Sequence, residues 1–309
     1  MKNILLCGAT GFIGRNLLEH FADNSNYKVR AVCHNKSAVE GYDNVEWCQA
    51  NLNNPADVDR IMKGIDVVLQ FAATTSGAKD ITTKPYIHVT DNAVMNSLLL
   101  RSAYDHEVEH FVFPSCTVMY QPSDKAESDE IYSKYFGVGN TKVYIEKMCD
   151  FYSRLGKTKH TVIRHSNIYG PHDKYDLERS HVFGATVTKV MTAKDEVVMW
   201  GTGEEKRDLL HVQDLCNFVE LSIKNQKTPY ELYNGGLGEA VSVRDLVHKI
   251  IKASGKDLIV KSDLSKPTIK TSLYLDWKKA FTELGWFPEV TLDKGIEDTI
   301  EWYKENIDV

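Results

Sequence analysis

The sequence has no long apolar run and no excess of positive charge. Its 309 residues include 37 Lys and Arg against 43 Asp and Glu, which gives a formal net charge of −6. A transmembrane helix needs about 20 consecutive apolar residues, and binding to nucleic acid or anionic lipid usually needs a basic surface. We therefore expect neither a membrane protein nor a partner of nucleic acid.

Cysteine is also scarce, and no two cysteines have the C-x-x-C spacing of many zinc and redox sites. The six are Cys7, Cys33, Cys48, Cys116, Cys149 and Cys216. Scattered cysteines are typical of free thiols in a reducing compartment rather than of a disulfide framework or a metal site. The start of the sequence is a lysine followed directly by a short apolar segment, without the pattern of a signal peptide. We expect no metal and a cytoplasmic protein.

Short apolar segments alternate with amphipathic segments through the first half of the chain. Strands are predicted for NILLCGA, KVRAVCH, VEWCQANL, DVVLQFAA, HFVFPSC and HTVIRHSNIYG, and helices for GRNLLEHFA, DNAVMNSLLLRSAYDH and KVYIEKMCDFYSRL. Such alternation is typical of right-handed βαβ units. It predicts an α/β protein with a Rossmann-type, doubly wound parallel sheet.

The pattern becomes irregular after Gly170. The segments RDLLHVQDLCNFVELSIKN and YELYNGG predict one more helix and strand that return to the sheet, and two further amphipathic helices follow. We therefore predict two interleaved domains. Residues 1–169 and 209–238 form the dinucleotide-binding Rossmann domain, and residues 170–208 and 239–309 form a smaller C-terminal α/β substrate domain.

A glycine-rich loop, GATGFIG, directly follows the first predicted strand and opens the first helix. Glycines at this turn let the backbone approach a pyrophosphate, which the helix N-terminus attracts. The alternative is a turn whose glycines serve only close packing of helix on strand. We favour dinucleotide binding because the motif has the strand–turn–helix context that it requires. The candidate residues are Gly8, Thr10, Gly11, Phe12, Ile13 and Gly14.

The end of the second strand bears on the choice of dinucleotide. An acidic residue there would bond the ribose 2′-hydroxyl of NAD, whereas basic residues suit the 2′-phosphate of NADP. This chain has His34, Asn35 and Lys36 there, with Arg15 nearby on the first helix. NADP(H) is favoured, and NAD(H) remains possible. Further candidate cofactor contacts are Asn51 and Leu52 beside the adenine, and Phe71, Ala72 and Ala73 beside the pyrophosphate and ribose.

Several motifs resemble those of the extended short-chain dehydrogenase/reductases that act on nucleotide sugars. They are GATGFIG, DVVLQFAA, DNAVMNS, PSCTVMY, GVGNTK, SNIYGPHD and GTGEEKRDLLHVQDL, which cover nearly the whole chain in that family's order. Within the family, NIYGPHDKYDLERSHV and VVMWGTGEEKRDLLHV are most similar to members that epimerise and reduce a GDP-4-keto-6-deoxy sugar. The resemblance implies an enzyme for a nucleotide-diphosphate sugar, with GDP favoured.

The resemblance also implies roles for individual residues. Lys142 would bind the nicotinamide ribose and lower the pKa of a catalytic hydroxyl, and His181 would be an acid. Arg207 would hold the substrate's diphosphate or ribose, for which a guanidinium is well suited. Alternatively, Arg207 pairs with Asp208 and His181 caps a helix. The remaining implied contacts are Asn92 and His165 to the cofactor, and Ser115, Asn167, Val182 and Trp200 to the substrate.

The catalytic centre departs from the family pattern. Val138 stands where the family has its proton-donating tyrosine, four residues before Lys142, and Cys116 stands at the usual Ser/Thr position. A one-residue shift would instead make Cys116 the epimerase's cysteine and Ser115 its serine, and the sequence leaves this register open. No carboxylate follows Thr117, so dehydration is not expected. A water held by Lys142, the Cys116 thiol or the Thr117 hydroxyl could supply the proton in place of a tyrosine.

We therefore expect an NAD(P)-dependent oxidoreductase acting at C4 of a nucleotide-diphosphate sugar, as a 4-ketoreductase or 4-dehydrogenase. The alternatives are an epimerase that retains its cofactor and a dinucleotide-binding sensor with weakened chemistry. The predicted helices at residues 92–105 and 139–155 carry more apolar surface than one sheet face needs. In the resembled family these helices pair across a two-fold axis, so a homodimer is expected.

Overall fold

The computed structural model describes residues 1–75, 84–118, 120, 135–177, 180–266 and 272–307. Its strands are β1 (Lys2–Cys7), β2 (Tyr27–Cys33), β3 (Glu46–Gln49), β4 (Val67–Gln70), β5 (His110–Ser115), β6 (Lys159–His165), β7 (Asn167–Tyr169), β8 (Glu196–Trp200), β9 (Lys206–Arg207), β10 (Leu209–His211), β11 (Tyr230–Gly235), β12 (Val241–Ser242) and β13 (Ile259–Asp263). Its α-helices are α1 (Phe12–Ala22), α2 (Pro55–Met62), α3 (Thr90–Asp105), α4 (Phe136–Ser153), α5 (Val182–Thr192), α6 (Val212–Asn225), α7 (Val243–Ser254), α8 (Lys278–Leu284) and α9 (Leu292–Asn306).

Among these described residues, seven strands form one sheet in the order β11-β6-β5-β4-β1-β2-β3. Every neighbouring pair is parallel. The chain runs outward from β1 to β3 on one side and then from β4 to β11 on the other. Ligands of such sheets bind beyond the carboxyl ends of the strands, where the order reverses. The predicted α/β class with a Rossmann-type sheet is confirmed.

Helices cover both faces of the sheet. On one face α1 and α6 contribute Leu17 and Phe218 to a buried cluster. On the other face α3 and α4 contribute Leu99 and Ile145 to a second cluster. Strands β4 and β5 are therefore buried along their whole length. This double burial explains why residues 67–69 and 111–114 form apolar runs without the alternation of a half-exposed strand.

The segment HTVIRHSNIYG, predicted as one strand, forms two. β6 ends at His165, and the Ser166 N–H donates to the Gly235 carbonyl oxygen at 2.9 Å. β7 then pairs with β10 instead of continuing beside β11. The N–H and Nδ2 of Asn167 both donate to the Asp208 carbonyl oxygen at 3.1 Å, which holds β7 in this position. The chain thus leaves the large sheet at Ser166.

A smaller layer lies beyond this point. β8 and β13 pair in parallel, and α5, α7 and α9 pack around them with Phe183, Leu246 and Ile300 in a third buried cluster. β11 returns to the large sheet beside β6, as YELYNGG predicted. The exact division into two domains stays a prediction. None of the described helices combines the length and apolar character that crossing a membrane requires.

Candidate active site

Glycines bring β1, the start of α1 and the end of β4 together. Gly8 has a φ of +82°, and a Cβ there would lie 2.6 Å from the Phe71 carbonyl oxygen. A Cβ at Gly14 would lie 2.0 Å from the Gly8 carbonyl oxygen. Both positions require glycine because a side chain would collide with backbone. Packing alone therefore explains part of the motif, as the alternative reading held.

The N-terminus of α1 is also suited to an anion. Gly11 occupies the N-cap without a side chain that could accept a hydrogen bond, and the first turn contains no acidic residue. The first turn therefore contains no carboxylate that could accept hydrogen bonds from the N–H groups of Phe12, Ile13 and Gly14. Such a helix end attracts phosphate. The residues present fit the pyrophosphate of a dinucleotide, with the partly buried Thr10 at the start of the turn.

The loop after β4 is held by two amides. Gln70 is fully buried and donates to the Ala72 carbonyl oxygen at 3.1 Å. Asn92 accepts the Thr74 N–H at 2.9 Å and donates to the carbonyl oxygens of Thr74 and His88, each at 2.9 Å. The Asn92 amide is therefore engaged with backbone, and it positions the loop that carries Ala72 and Ala73. The predicted effect of Asn92 on cofactor binding would therefore be indirect, through the position of this loop.

At the end of β2, His34, Asn35 and Lys36 are exposed, whereas Cys33 is buried. Arg15 does not extend freely toward them, because it pairs with Glu19 at 3.1 Å and lies 5.0 Å from the Tyr42 ring centroid. The basic side chains at this edge are thus those of His34 and Lys36.

A carboxylate that was not predicted from the sequence, that of Asp57, lies near the end of β3. Asp57, on α2, accepts the Asn51 N–H and an Arg60 N–H, each at 3.0 Å. These hydrogen bonds and the nearby His34 hold the pKa of Asp57 below its usual value. Asn51 is exposed, but Leu52 is 7% exposed and belongs to the core. Because the Leu52 side chain packs inward, the predicted contact of Leu52 with the adenine would be made by its backbone, and it stays a prediction.

Lys142 and Cys116 meet at the carboxyl end of β5. The Lys142 Nζ donates to the Pro114 carbonyl oxygen at 2.7 Å and lies 4.7 Å from the Phe113 ring centroid. Burial lowers the pKa of Lys142, and Cys116 acts in the opposite direction. Burial raises the pKa of Cys116, and Lys142 opposes that change. The structure therefore brings these two predicted residues into electrostatic contact.

Val138 lies on α4 one turn before Lys142 and is partly buried. Residues four apart share a helix face, so the position that lacks a phenol is on the lysine's side of the helix. Thr117 follows Cys116 in the loop after β5, where its carbonyl oxygen accepts the Tyr120 N–H at 2.9 Å. Val138 thus lies on the side of α4 that carries Lys142, and the catalytic roles of Val138 and Thr117 stay predictions.

A buried ion pair lies under this site. Glu146, one turn after Lys142, is 2% exposed and accepts two hydrogen bonds from Arg164, at 3.0 and 2.7 Å. Ser115 donates to the same carboxylate at 2.5 Å and is fully buried. The predicted substrate contact of Ser115 is therefore wrong, because its hydroxyl is enclosed and bonded to Glu146. The nearby Tyr120 hydroxyl donates to Asn234 at 2.8 Å.

His165 and His181 face the same region. The His165 Nδ1 lies 2.8 Å from the Ser166 carbonyl oxygen. Burial lowers the pKa of His165 to about 4, and the charges of Lys142 and His181 add to the effect. His181 is the exposed N-cap residue of α5, but its side chain makes no capping hydrogen bond. The alternative in which His181 caps a helix is therefore borne out by its position, although the side chain adds no capping hydrogen bond.

Arg207 ends β9, and Asp208 lies between β9 and β10. The Asp208 carboxylate accepts the backbone N–H groups of Leu237, Gly238 and Leu275, at 2.8, 3.3 and 3.0 Å. Arg207 is partly buried, and burial lowers its pKa while Glu205 and Tyr135 raise it. Tyr135, at the start of α4, thus lies close to Arg207.

Trp200, at the end of β8, lies between two lysines. It is 46% exposed, with the Lys189 Nζ 4.9 Å and the Lys266 Nζ 5.8 Å from its ring centroid. Burial lowers the pKa of Lys189, and Lys266 adds to that effect. Val182 begins α5, the helix that carries Lys189. The sequence analysis missed both lysines, since an isolated lysine has no pattern that marks it.

The chain belongs to the NAD dependent epimerase/dehydratase family, whose model matches residues 4–236. The expected enzyme class is thereby confirmed: its relatives are nucleotide-sugar epimerases, dehydratases and reductases.

Relatives can be compared over most of the chain. It is 24% identical over 312 residues to GDP-L-colitose synthase of Yersinia pseudotuberculosis, covering 97% of each protein. It is 28% identical over 263 residues to GDP-L-fucose synthase of Escherichia coli, covering 79% of this chain and 82% of that one. Among solved structures, UDP-glucose 4-epimerase of Thermotoga maritima with UDP-glucose has a TM-score of 0.85 at 26% identity, covering 99% of this chain and 100% of that one.

The glycine loop gives a testable prediction. Gly14→Ala should destabilise the fold by ~1–3 kcal/mol or more, because its Cβ would force backbone apart, and it should weaken dinucleotide binding. Gly11→Ala is the matched control for stability, since its Cβ would lie 3.3 Å from the Gly8 carbonyl oxygen and Gly11 has a φ of −92°. Urea unfolding measures both variants. Equal stabilities would contradict the packing argument.

Proposed function

We propose that this chain is a nicotinamide-dependent oxidoreductase acting at C4 of a GDP-linked sugar, as a 4-ketoreductase or 4-dehydrogenase. The observation that carries the proposal is the position of Lys142, whose Nζ donates to the Pro114 carbonyl oxygen at 2.7 Å, two residues before Cys116 at the carboxyl end of β5. β5 is in the same sheet as β1, which leads into the glycine loop. The GDP linkage is supported by the names of two relatives, GDP-L-colitose synthase and GDP-L-fucose synthase. A cytoplasmic location is part of this proposal.

Different residues of the chain bind the dinucleotide and the sugar nucleotide. A bound nicotinamide dinucleotide supplies or accepts the hydride. The N–H groups at the start of α1 hold its pyrophosphate, and Lys142 binds its ribose hydroxyls. Arg207 binds the diphosphate of the sugar nucleotide, since a guanidinium offers parallel donors to phosphate and a partly buried cation attracts an anion strongly. Residues 170–208 and 239–309 form the substrate-side domain.

The missing phenol provides the test of this function. With a GDP-linked 4-keto sugar and reduced cofactor, Val138→Tyr should raise turnover, because the phenol adds a proton donor beside Lys142; the ~10²–10⁴-fold range of general acid catalysis is the gain expected only if no other group donates the proton. Val138→Phe adds the same ring without the hydroxyl and should not raise it. Nicotinamide absorbance follows the reaction. No turnover with any GDP-linked keto or hydroxy sugar, in either direction, would refute the proposed activity.

The cofactor preference is tested by calorimetry. NADP(H) should bind more tightly than NAD(H), because His34 and Lys36 face the edge where the 2′-phosphate would lie. Replacing Lys36 with Ala should weaken NADP(H) binding roughly two- to fivefold, the value of an exposed ion pair of ~0.5–1 kcal/mol, and leave NAD(H) binding unchanged. Lys28→Ala, also exposed on β2, is the control. Tighter binding of NAD(H) would show that Asp57 dominates this edge.

A homodimer through α3 and α4 is also proposed. Their outer faces expose Val94, Tyr104, Tyr144 and Phe151 by 41, 37, 43 and 48%, and a two-fold pair of this surface would bury all of them. Light scattering should give the dimer mass. Phe151→Asp should give a monomer, whereas Phe281→Asp, at a 52% exposed residue of α8, should not. A monomeric parent chain would refute the dimer.

A further inference from the structure

Val138 leaves Lys142 without a phenol on its own helix, but β5 supplies a different proton-carrying group. Cys116 directly follows β5 and is partly buried. The Lys142 Nζ reaches the same end of β5, where it donates to the Pro114 carbonyl oxygen at 2.7 Å, two residues before Cys116. Each of the two groups shifts the pKa of the other toward its charged form. A thiol and an ammonium group therefore stand where the family pattern has a hydroxyl and an ammonium group.

The surroundings of Cys116 favour the thiol. Burial raises its pKa and the Glu146 carboxylate adds to that effect, whereas the positive charges of Lys142 and Arg164 and the Val118 backbone oppose it. His165, which also faces Lys142, is held neutral by burial, with its pKa lowered to about 4. The charged groups that decide the state of the sulfur thus come from α4 and β6.

Glu146 is the charge that limits thiolate formation. It lies one helical turn after Lys142 and is fixed by Arg164 and Ser115. Ser115 immediately precedes Cys116. The Glu146 carboxylate therefore opposes the Cys116 thiolate and also holds the backbone next to Cys116 in place.

We propose that Cys116 takes the place of the missing tyrosine as proton donor, that Lys142 stabilises the thiolate left behind, and that Glu146 restrains its formation. The proposal rests on the C4 oxidoreductase function above. In the reducing direction, a bound reduced nicotinamide would supply the hydride to C4, and the electrons of the C=O π bond would become a lone pair on O4. The S–H bond of Cys116 breaks as the O4–H bond forms. Water then returns a proton to the thiolate. The oxidising direction reverses each step.

Thiol reactivity tests the charge coupling without cofactor or sugar. Only the thiolate reacts with iodoacetamide, so the alkylation rate of Cys116, followed by mass spectrometry of its peptide from neutral to alkaline pH, reports its ionisation. Lys142→Met should slow alkylation below the thiol pKa roughly tenfold, the effect of losing one close opposite charge. Glu146→Gln should accelerate it, because a like charge is removed. Lys147→Met, at an exposed residue of the same helix, should leave it unchanged.

Turnover tests the proton transfer separately. Cys116→Ala should lose ~10²–10⁴-fold in turnover, and adding Val138→Tyr to that variant should restore it. Cofactor affinity by calorimetry should be unchanged in Cys116→Ala, which a structural role would not predict. If Lys142→Met does not slow alkylation, the coupling is refuted. If coupling holds but Cys116→Ala keeps full turnover, the proton-donor role is refuted while the proposed function stands. If the parent chain turns over no GDP sugar, the function itself fails.

Discussion

The ion pair between Glu146 and Arg164 is the interaction on which the candidate site depends. It joins α4 to β6, and the Ser115 hydroxyl adds the end of β5 to the same carboxylate. Burying two charges costs several kcal/mol per ion, which good geometry and additional hydrogen bonds offset. Here the carboxylate has three such bonds. The ion pair therefore contributes chiefly by positioning two elements: it holds α4, which carries Lys142, against the end of β5, which Cys116 follows.

The fold could be predicted because it depends on patterns that a sequence displays. Alternating apolar and amphipathic segments indicated the parallel sheet, and the glycine spacing indicated the close turn after β1. The break at Ser166 was missed because continuous apolar character does not show which neighbour a strand will pair with. That choice is made by the contact between Asn167 and the Asp208 backbone.

The site was predictable in part. The spacing of family motifs singled out Lys142, Cys116, Val138 and His181, and their roles stay predictions. Ser115 was misassigned because a strand buried on both faces gives no alternation from which a side chain's direction could be read. Glu146 was missed because a carboxylate on an amphipathic helix ordinarily indicates the solvent side. Its burial depends on Arg164, which is 18 residues away in the chain.

The three backbone donors of Asp208 have a consequence for the order of folding. They come from Leu237, Gly238 and Leu275, all made after Asp208 itself. During synthesis the N-terminal part of a chain emerges first, so this carboxylate lacks its full set of partners until Leu275 has been added. The strand that carries Arg207 is therefore fixed late. The glycine loop is synthesised early, but the site to which it belongs is complete only after nearly the whole chain has been made.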